Sequence, residues 1–209
     1  MDIPIFKEAN QTVEYIKEGR IVAFPTNTSY GLAVDALQGF ALQRLRNLKE
    51  RPSEKTFTVF MDPSLWPQYL DLSATEKELL SRFDGQPLTL LVKPKNPLAH
   101  LAQDEKVGLR VIDHPLMKDL AAALEVPLTA TSANTSGQPP CLSPEEIRRH
   151  FPQTVGTKKE IEMTKNTTYN LSLAGILDGG TLPQSKPSTI AQMEENGSFN
   201  IVRQGETAL

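Results

Sequence analysis

Val126-Pro-Leu-Thr-Ala-Thr-Ser-Ala-Asn-Thr-Ser-Gly137 runs from a short apolar segment, Val126 to Leu128, straight into a polar turn that Gln138-Pro-Pro140 closes. Such a pattern is the end of a buried strand opening into a rigid turn. Between Thr129 and Gly137 the chain places five hydroxyl side chains and one carboxamide. Serine and threonine each offer a donor and acceptors, and asparagine carries both kinds of group in one plane. A turn of this composition can satisfy its own backbone or hold a polar ligand rich in oxygen, and on its own it leaves both readings open.

The same grammar repeats on either side. Apolar residues at helical spacing predict a helix from Glu8 to Glu18, stopped at Gly19. Arg20 to Phe24 reads as a strand that Pro25 and a second polar turn, Thr26-Asn-Thr-Ser-Tyr-Gly31, bring to an end. A helix is expected from Phe40 to Lys49, because Phe40, Leu42, Leu45 and Leu48 share one face and Pro52 disfavours helical geometry at Arg51. Further strands are expected at Thr56–Met61, Leu88–Val92, Val107–Ile112 and Leu171–Leu177, with helices at Thr75–Phe83 and His114–Leu124. Ser143-Pro-Glu-Glu is a helix start, combining a serine cap, a first-turn proline and two acids against the helix dipole. Ser188–Met193 and Phe199–Arg203 form a hairpin turning at Glu195-Asn-Gly197, and the polar stretch Gln153 to Asn170 reads as a surface loop or insertion. Alternating strands and helices give an α/β or α+β class, and no linker or repeat divides the chain, so residues 1–209 are expected to form a single domain.

Composition narrows the function. With 39% hydrophobic and 22% charged residues, the chain can bury a core. A formal net charge of −3 argues against a coat of basic residues for nucleic acid, so cations at a site must be placed. No signal-peptide pattern or membrane-length apolar run occurs, and the one cysteine, Cys141, fits a reducing compartment; a cytoplasmic location is expected. The three histidines, His100, His114 and His150, are scattered and lack zinc-ligand spacing, which leaves them as surface or capping residues. There is no Gly-x-Ser-x-Gly elbow and no Gly-x-Gly-x-x-Gly. Gly180-Thr-Leu-Pro-Gln-Ser-Lys186 has the wrong spacing for a phosphate-binding loop, and Pro187 stands where Ser or Thr is needed.

Placed cations are found at Lys49-Glu-Arg51-Pro-Ser53, where a helix breaks before a strand. Basic residues at a helix end offset the dipole, but a lysine and an arginine held by a proline also suit phosphate or carboxylate oxygens. Arg110 lies within an apolar strand, where a guanidinium must reach solvent or an anion, and Arg203 ends the last strand.

Pro25-Thr-Asn-Thr-Ser-Tyr-Gly-Leu32, Lys49-x-Arg51-Pro-Ser, the strand with Arg110, Ser132-Ala-Asn134-x-Ser-Gly137, Leu177-Asp-Gly-Gly180, Pro187-Ser-Thr-Ile190 and Ile201-Val-Arg-Gln-Gly205 follow one another as in the YrdC-like family. The chain resembles the single-domain members of that family of threonylcarbamoyl-AMP synthases. The resemblance implies an open, twisted, mixed β-sheet flanked by helices around a concave cationic site. It implies an enzyme that joins L-threonine, bicarbonate and ATP into threonylcarbamoyl-adenylate and pyrophosphate, for modification of adenosine beside the anticodon of certain tRNAs. Carried over by position, Lys49, Ser53, Ser132, Asn134 and Arg203 would hold ATP. Thr26, Tyr30, Arg51, Arg110 and Ser188 would surround threonine, an arginine taking its carboxylate, and Lys49, Arg51, Ser132 and Asn134 form the catalytic set. Magnesium would ride on the phosphates. Downstream tRNA-modification proteins, and tRNA itself, are the implied partners. The chain departs from the family's usual pattern at Asn27, where an acid is usual, at Phe60, where many members have histidine, and at Asp84-Gly-Gln-Pro87. An RNA-binding module, extended by Lys158, Lys159 and Lys165, and a divergent paralogue acting on another substrate are the alternative readings.

Overall fold

A computed structural model describes residues 2–151, 172–194 and 196–209. The expected loop Gln153–Asn170, with Lys158, Lys159 and Lys165, lies outside the described residues, as does Glu195 of the expected hairpin turn. In chain order the elements are β1 (Ile5–Phe6), α1 (Asn10–Lys17), β2 (Ile21–Pro25), β3 (Tyr30–Ala33), α2 (Gly39–Leu48), β4 (Val59–Phe60), a 3₁₀ turn (Pro63–Leu65), α3 (Trp66–Tyr69), β5 (Leu70–Asp71) and α4 (Ala74–Arg82). Then come β6 (Leu88–Pro94), a second 3₁₀ segment (Asn96–Leu101), β7 (Val107–Arg110), α5 (Pro115–Leu124), β8 (Leu128–Thr129), β9 (Thr131–Ser132), α6 (Pro144–His150), β10 (Leu173–Leu177), β11 (Thr189–Met193) and β12 (Phe199–Arg203).

The mixed α/β class expected from the sequence holds, with its mixed β-structure divided between two sheets. Two sheets are present, one ordered β1-β10-β2-β3-β9 and the other β12-β11-β6-β7-β4-β8, with β5 pairing on β6. Each mixes parallel and antiparallel pairs: β10 runs parallel to β2 and β3 antiparallel to it, while β6 runs parallel to β11 and antiparallel to β7. The reason is Ala130. It separates β8, the edge of one sheet, from β9, the edge of the other, so the chain changes sheets in the middle of the hydroxyl-rich stretch. Thr58 brackets the crossing: its carbonyl accepts from the Ala130 N–H at 2.9 Å, and its hydroxyl donates to the Ala130 carbonyl at 2.5 Å. Thr129 ties the crossing to β3, its hydroxyl accepting from the Val34 N–H at 3.1 Å and donating to the Leu32 carbonyl at 3.2 Å.

Several elements differ in extent from the sequence expectation. The Thr56–Met61 strand is reduced to Val59–Phe60, because only Val59 pairs β7 and only Val59 and Phe60 pair β8. The turn after β2 closes earlier than expected, at Ser29, because Tyr30 and Gly31 already pair with Pro25 and Phe24. Ser143 caps α6 as its sequence predicts, accepting from the Glu146 N–H at 3.2 Å, with Pro144 in the first turn. α4 carries a reciprocal box between Ser73 and Glu76. The packing makes two apolar clusters: one takes Leu32, Leu45, Val59, Leu90 and Leu109, and the other joins Phe24, Phe60 and Ala174 to Met117 and Leu120 of α5. Burial of this kind supplies about 25 cal/mol per Å² of apolar area. It holds the ends of β2, β7, β9 and β11 in fixed relation, and those ends carry the cations and hydroxyls.

Candidate functional site

Lys49 ends α2 and is only 2% exposed. Its ammonium donates to the Ser132 carbonyl, to the Asn134 carbonyl at 2.7 Å and to Asn134 Oδ1 at 3.1 Å. All three ammonium donors therefore meet the turn after β9. The turn answers through its backbone, the Ser136 N–H donating to the Lys49 carbonyl at 2.8 Å. Ser132 Oγ donates to Asn134 Oδ1 at 2.6 Å, and Asn134 Nδ2 donates to the Gln138 carbonyl. Residues 83 and 85 positions apart are thus one unit. Burial pulls the Lys49 pKa down to about 7, with the Arg51 charge acting in the same direction. The three oxygens around the ammonium oppose that shift.

A second unit is built around Arg110 at the end of β7. Its Nη2 donates to the Thr28 hydroxyl and, at 3.4 Å, to the Thr26 hydroxyl. Thr26 in turn donates to the Ser29 carbonyl at 2.7 Å, which shapes the turn between β2 and β3. Arg203, from the last strand, donates to the Ser188 carbonyl at 2.7 Å, and Ser188 shares a 2.9 Å hydroxyl contact with Thr89. Thr89 pairs with Arg110 across β6 and β7, so Ser188, Arg203 and Arg110 meet through one residue. Burial and the neighbouring Arg203 lower the Arg110 pKa to about 10. A buried guanidinium whose charge a neighbouring arginine disfavours in this way favours an anion beside it.

The two units share strands. Gly31 of β3 pairs with Ser132 of β9, and the Ala133 N–H donates to the Tyr30 carbonyl at 2.8 Å, so the Thr26–Ser29 turn hangs beside the Ser132–Asn134 turn. Gly31 must stay small, since a Cβ there would meet the Phe24 ring at 2.6 Å. Among the described residues the salt bridges lie elsewhere, as at Lys7–Asp178 and Lys118–Asp113, and Lys49, Arg51, Arg110 and Arg203 form none. Partly buried cations without a carboxylate are costly unless a ligand supplies the negative charge.

The remaining expected residues lie differently. The Tyr30 hydroxyl is held between backbone groups, donating to the Gly180 carbonyl and accepting from the Gly179 N–H, both at 2.9 Å. Burial raises its pKa to about 12. The Arg51 guanidinium folds back on its own loop, donating to the Thr56 carbonyl at 2.5 Å and lying 5.1 Å from the Phe57 ring centre. Ser53 is exposed beside Glu54. Residues missed from the sequence are Thr28 and Thr89, which hold Arg110 and Ser188, and His150, whose Nε2 accepts from the Thr135 N–H at 2.9 Å and braces the turn. Thr28 was at least visible in a polar turn. Thr89 and His150 gave no signal, because each acts through a residue distant in sequence.

The chain is similar along most of its length to known proteins. A family model described as "telomere recombination", Sua5/YciO/YrdC, matches residues 14–205. The threonylcarbamoyl-AMP synthase of Vibrio campbellii is 31% identical over 206 residues, covering 95% of this chain and all of that protein. A putative threonylcarbamoyl-AMP synthase of Methanocaldococcus jannaschii is 28% identical over 200 residues, covering 93% of this chain and 86% of its own length. Among solved structures, P. abyssi Sua5 complexed with L-threonine has the same fold, with a TM-score of 0.79 at 24% identity; the match takes in 98% of this chain and 58% of that one. E. coli YciO aligns over 97% of this chain and 96% of its own with a TM-score of 0.75 at 24% identity. A paired lysine and Ser-x-Asn turn, an arginine-bearing strand beside it, and sequence similarity along nearly the whole length agree: the chain belongs to the Sua5/YciO/YrdC family.

Proposed function

We propose that this chain is an L-threonylcarbamoyladenylate synthase, a nucleotidyltransferase that acts as one domain in the cytoplasm. The observation that carries the reading is the buried Lys49 locked to Ser132 and Asn134 beside the Arg110–Arg203 pair. Support comes also from relatives named threonylcarbamoyl-AMP synthase that match along nearly the whole chain. Among the described residues, no helix is long and apolar enough to cross a membrane.

The chemistry brings anions together. The threonine nitrogen adds to bicarbonate with loss of water, giving a carbamate. A carbamate oxygen then attacks the α-phosphorus of ATP, the bond to the β-phosphate oxygen breaks, and pyrophosphate leaves. Lys49 and Arg203 would counter phosphate charge, and Ser132, Asn134 and Ser53 would bind the nucleotide. Arg110, Arg51, Thr26, Tyr30 and Ser188 would surround the amino acid. The rate would come from positioning and from fixed positive charge at developing negative charge. In this reading the Tyr30 hydroxyl acts through the Gly179–Gly180 backbone it already holds, Arg51 must swing toward the amino acid, and Ser53 must swing toward the phosphates.

Mg²⁺ would arrive on the triphosphate, bound by phosphate oxygens and water. Among the described residues no group of three His, Cys, Asp or Glu side chains could hold it. The product would pass to tRNA-modifying partners. The test is pyrophosphate release and nucleotide product from purified protein given ATP, Mg²⁺, bicarbonate and L-threonine, with each omitted in turn. A product that forms without threonine or without bicarbonate would overturn the assignment.

A further inference from the structure

The peptide bond between Asn134 and Thr135 is held on both edges. Its carbonyl oxygen accepts from the Lys49 ammonium at 2.7 Å, and its N–H donates to His150 Nε2 at 2.9 Å. In a trans peptide these two groups point in opposite directions across one rigid plane, and among the described residues no peptide is cis. Lys49 and His150 therefore set that plane from opposite sides. His150 is itself fixed in place. It is the last residue of α6, where Ile147 is fully buried and the following Phe151 is 5% exposed. The Phe151 N–H donates to the Ile147 carbonyl at 2.8 Å, and the His150 and Phe151 rings meet edge-on with their centres 4.6 Å apart. The contact with Thr135 runs one way. A backbone N–H can only donate, so Nε2 must keep its lone pair and the ring proton must lie on Nδ1. The Thr135 hydroxyl, 3.2 Å from the same nitrogen, can then only donate to it as well.

We infer that His150 is a positioning residue for the nucleotide, acting through this peptide on Lys49 and Asn134. This rests on the synthase reading above, in which the turn after β9 takes ATP, and adds to it a residue that works through others. The physical reason is the alternative orientation of the plane. Rotated by half a turn, the peptide would aim its N–H at the ammonium and its carbonyl at the Nε2 lone pair, so a donor would face a donor on one edge and an acceptor would face an acceptor on the other. A neutral His150 excludes that state. The Asn134 carbonyl then stays on Lys49, and the Asn134 amide stays between Lys49, the Ser132 hydroxyl and the Gln138 carbonyl. Without an acceptor at position 150 the Thr135 N–H loses its partner, and the orientation of the plane rests on Lys49 alone. The fixed charge and the amide that meet the phosphates lose their common frame.

The experiment compares the purified full chain with His150→Phe, which keeps a ring beside Phe151 and removes the acceptor, and with His150→Gln, which restores an acceptor oxygen. Calorimetry with Mg²⁺ and an ATP analogue bridged by methylene between the α- and β-phosphates gives the nucleotide Kd, and pyrophosphate release gives kcat and the KM for ATP and for threonine. The inference expects His150→Phe to raise the Kd and the KM for nucleotide about 10-fold while the threonine KM changes less than about 3-fold, and His150→Gln to stay within about 3-fold of wild type throughout. A second readout needs no loss of function: ¹⁵N spectra of the imidazoles, with His150 assigned by its absence from His150→Gln, should show Nε2 unprotonated and Nδ1 protonated. Unchanged nucleotide affinity in His150→Phe overturns the positioning role and leaves the synthase reading intact. A loss shared equally by ATP and threonine, or one that glutamine does not restore, marks a merely structural histidine and overturns it too. If wild type binds the analogue and releases no pyrophosphate, the synthase reading fails, and the Kd values alone decide the role of His150. If wild type binds no nucleotide, both fall. Should His150→Phe not fold, a proton on Nε2 overturns the inference, and an unprotonated Nε2 with wild-type affinity in His150→Gln sustains it.

Discussion

Lys49→Met replaces a buried ammonium with an uncharged chain of similar length, and its effect can be worked from the contacts. Two of the three oxygens that Lys49 holds retain a donor: Asn134 Oδ1 keeps the Ser132 hydroxyl, and the Ser132 carbonyl keeps the Asn134 N–H at 3.1 Å. The Asn134 carbonyl loses the lysine that now meets it at 2.7 Å. One buried carbonyl without a partner costs about 1–3 kcal/mol. The variant should therefore be less stable by about 2 kcal/mol at pH 8, a fall of roughly 4–8 °C in melting temperature for a chain of this size. The pH dependence sharpens the test. The folded lysine titrates near 7, below its ordinary value of 10.5, so between those values the unfolded chain binds more protons and stability rises with pH. Methionine removes that contribution. The gap between wild type and variant should therefore widen from pH 7 to pH 9.5, by no more than about 1.4 kcal/mol per unit. Urea unfolding followed through the single tryptophan, Trp66, measures it. The same substitution should lower kcat/KM for ATP about 10²–10³-fold if the charge faces phosphate. A stability gap that is the same at both pH values would refute the burial of a lysine cation, and unchanged ATP kinetics would refute its role at the nucleotide.

Asn134→Ala removes contacts to Lys49, Ser132 and Gln138 together, and should raise the KM for ATP about 10-fold or more with little change for the amino acid; binding of fluorescent nucleotide checks it. Tyr30→Phe leaves the Gly179 N–H and Gly180 carbonyl without their present partner, and is expected to cost about 1–3 kcal/mol in chemical denaturation. Gly205→Ala would place a Cβ 2.1 Å from the Pro187 carbonyl oxygen, so the segment carrying Ser188 and Arg203 must shift; circular dichroism should show a lowered melting temperature, and the amino-acid KM should rise. Arg110→Lys keeps the charge but loses the planar guanidinium whose Nη2 meets both Thr26 and Thr28, and should lower kcat/KM for the amino acid about 10²-fold, read from pyrophosphate release.

Local patterns were sufficient for much of the fold. Gly19 with φ +69° ends α1, and Ser143-Pro-Glu-Glu starts α6, because caps and turn glycines act over a few residues. The β11–β12 pairing followed from two strand-like runs separated by a short turn. Within the candidate site, the residue types were legible as well: a placed Lys49, an arginine stranded in β7, and a turn dense in hydroxyls. What the sequence could not contain was their partnership, since hydrogen-bonding capacity is local while its use depends on which strands become neighbours. Thr58 and Ala130 are 72 positions apart, yet their mutual bonds let Thr129 belong to one sheet and Thr131 to the other. Tertiary structure alone decided that the strands would divide between two sheets, that Lys49 would spend its donors on Ser132 and Asn134, and that Phe60 and Arg110 would line one cavity. Each of these depends on the register of short strands, and a slip of one residue turns a side chain to the opposite face.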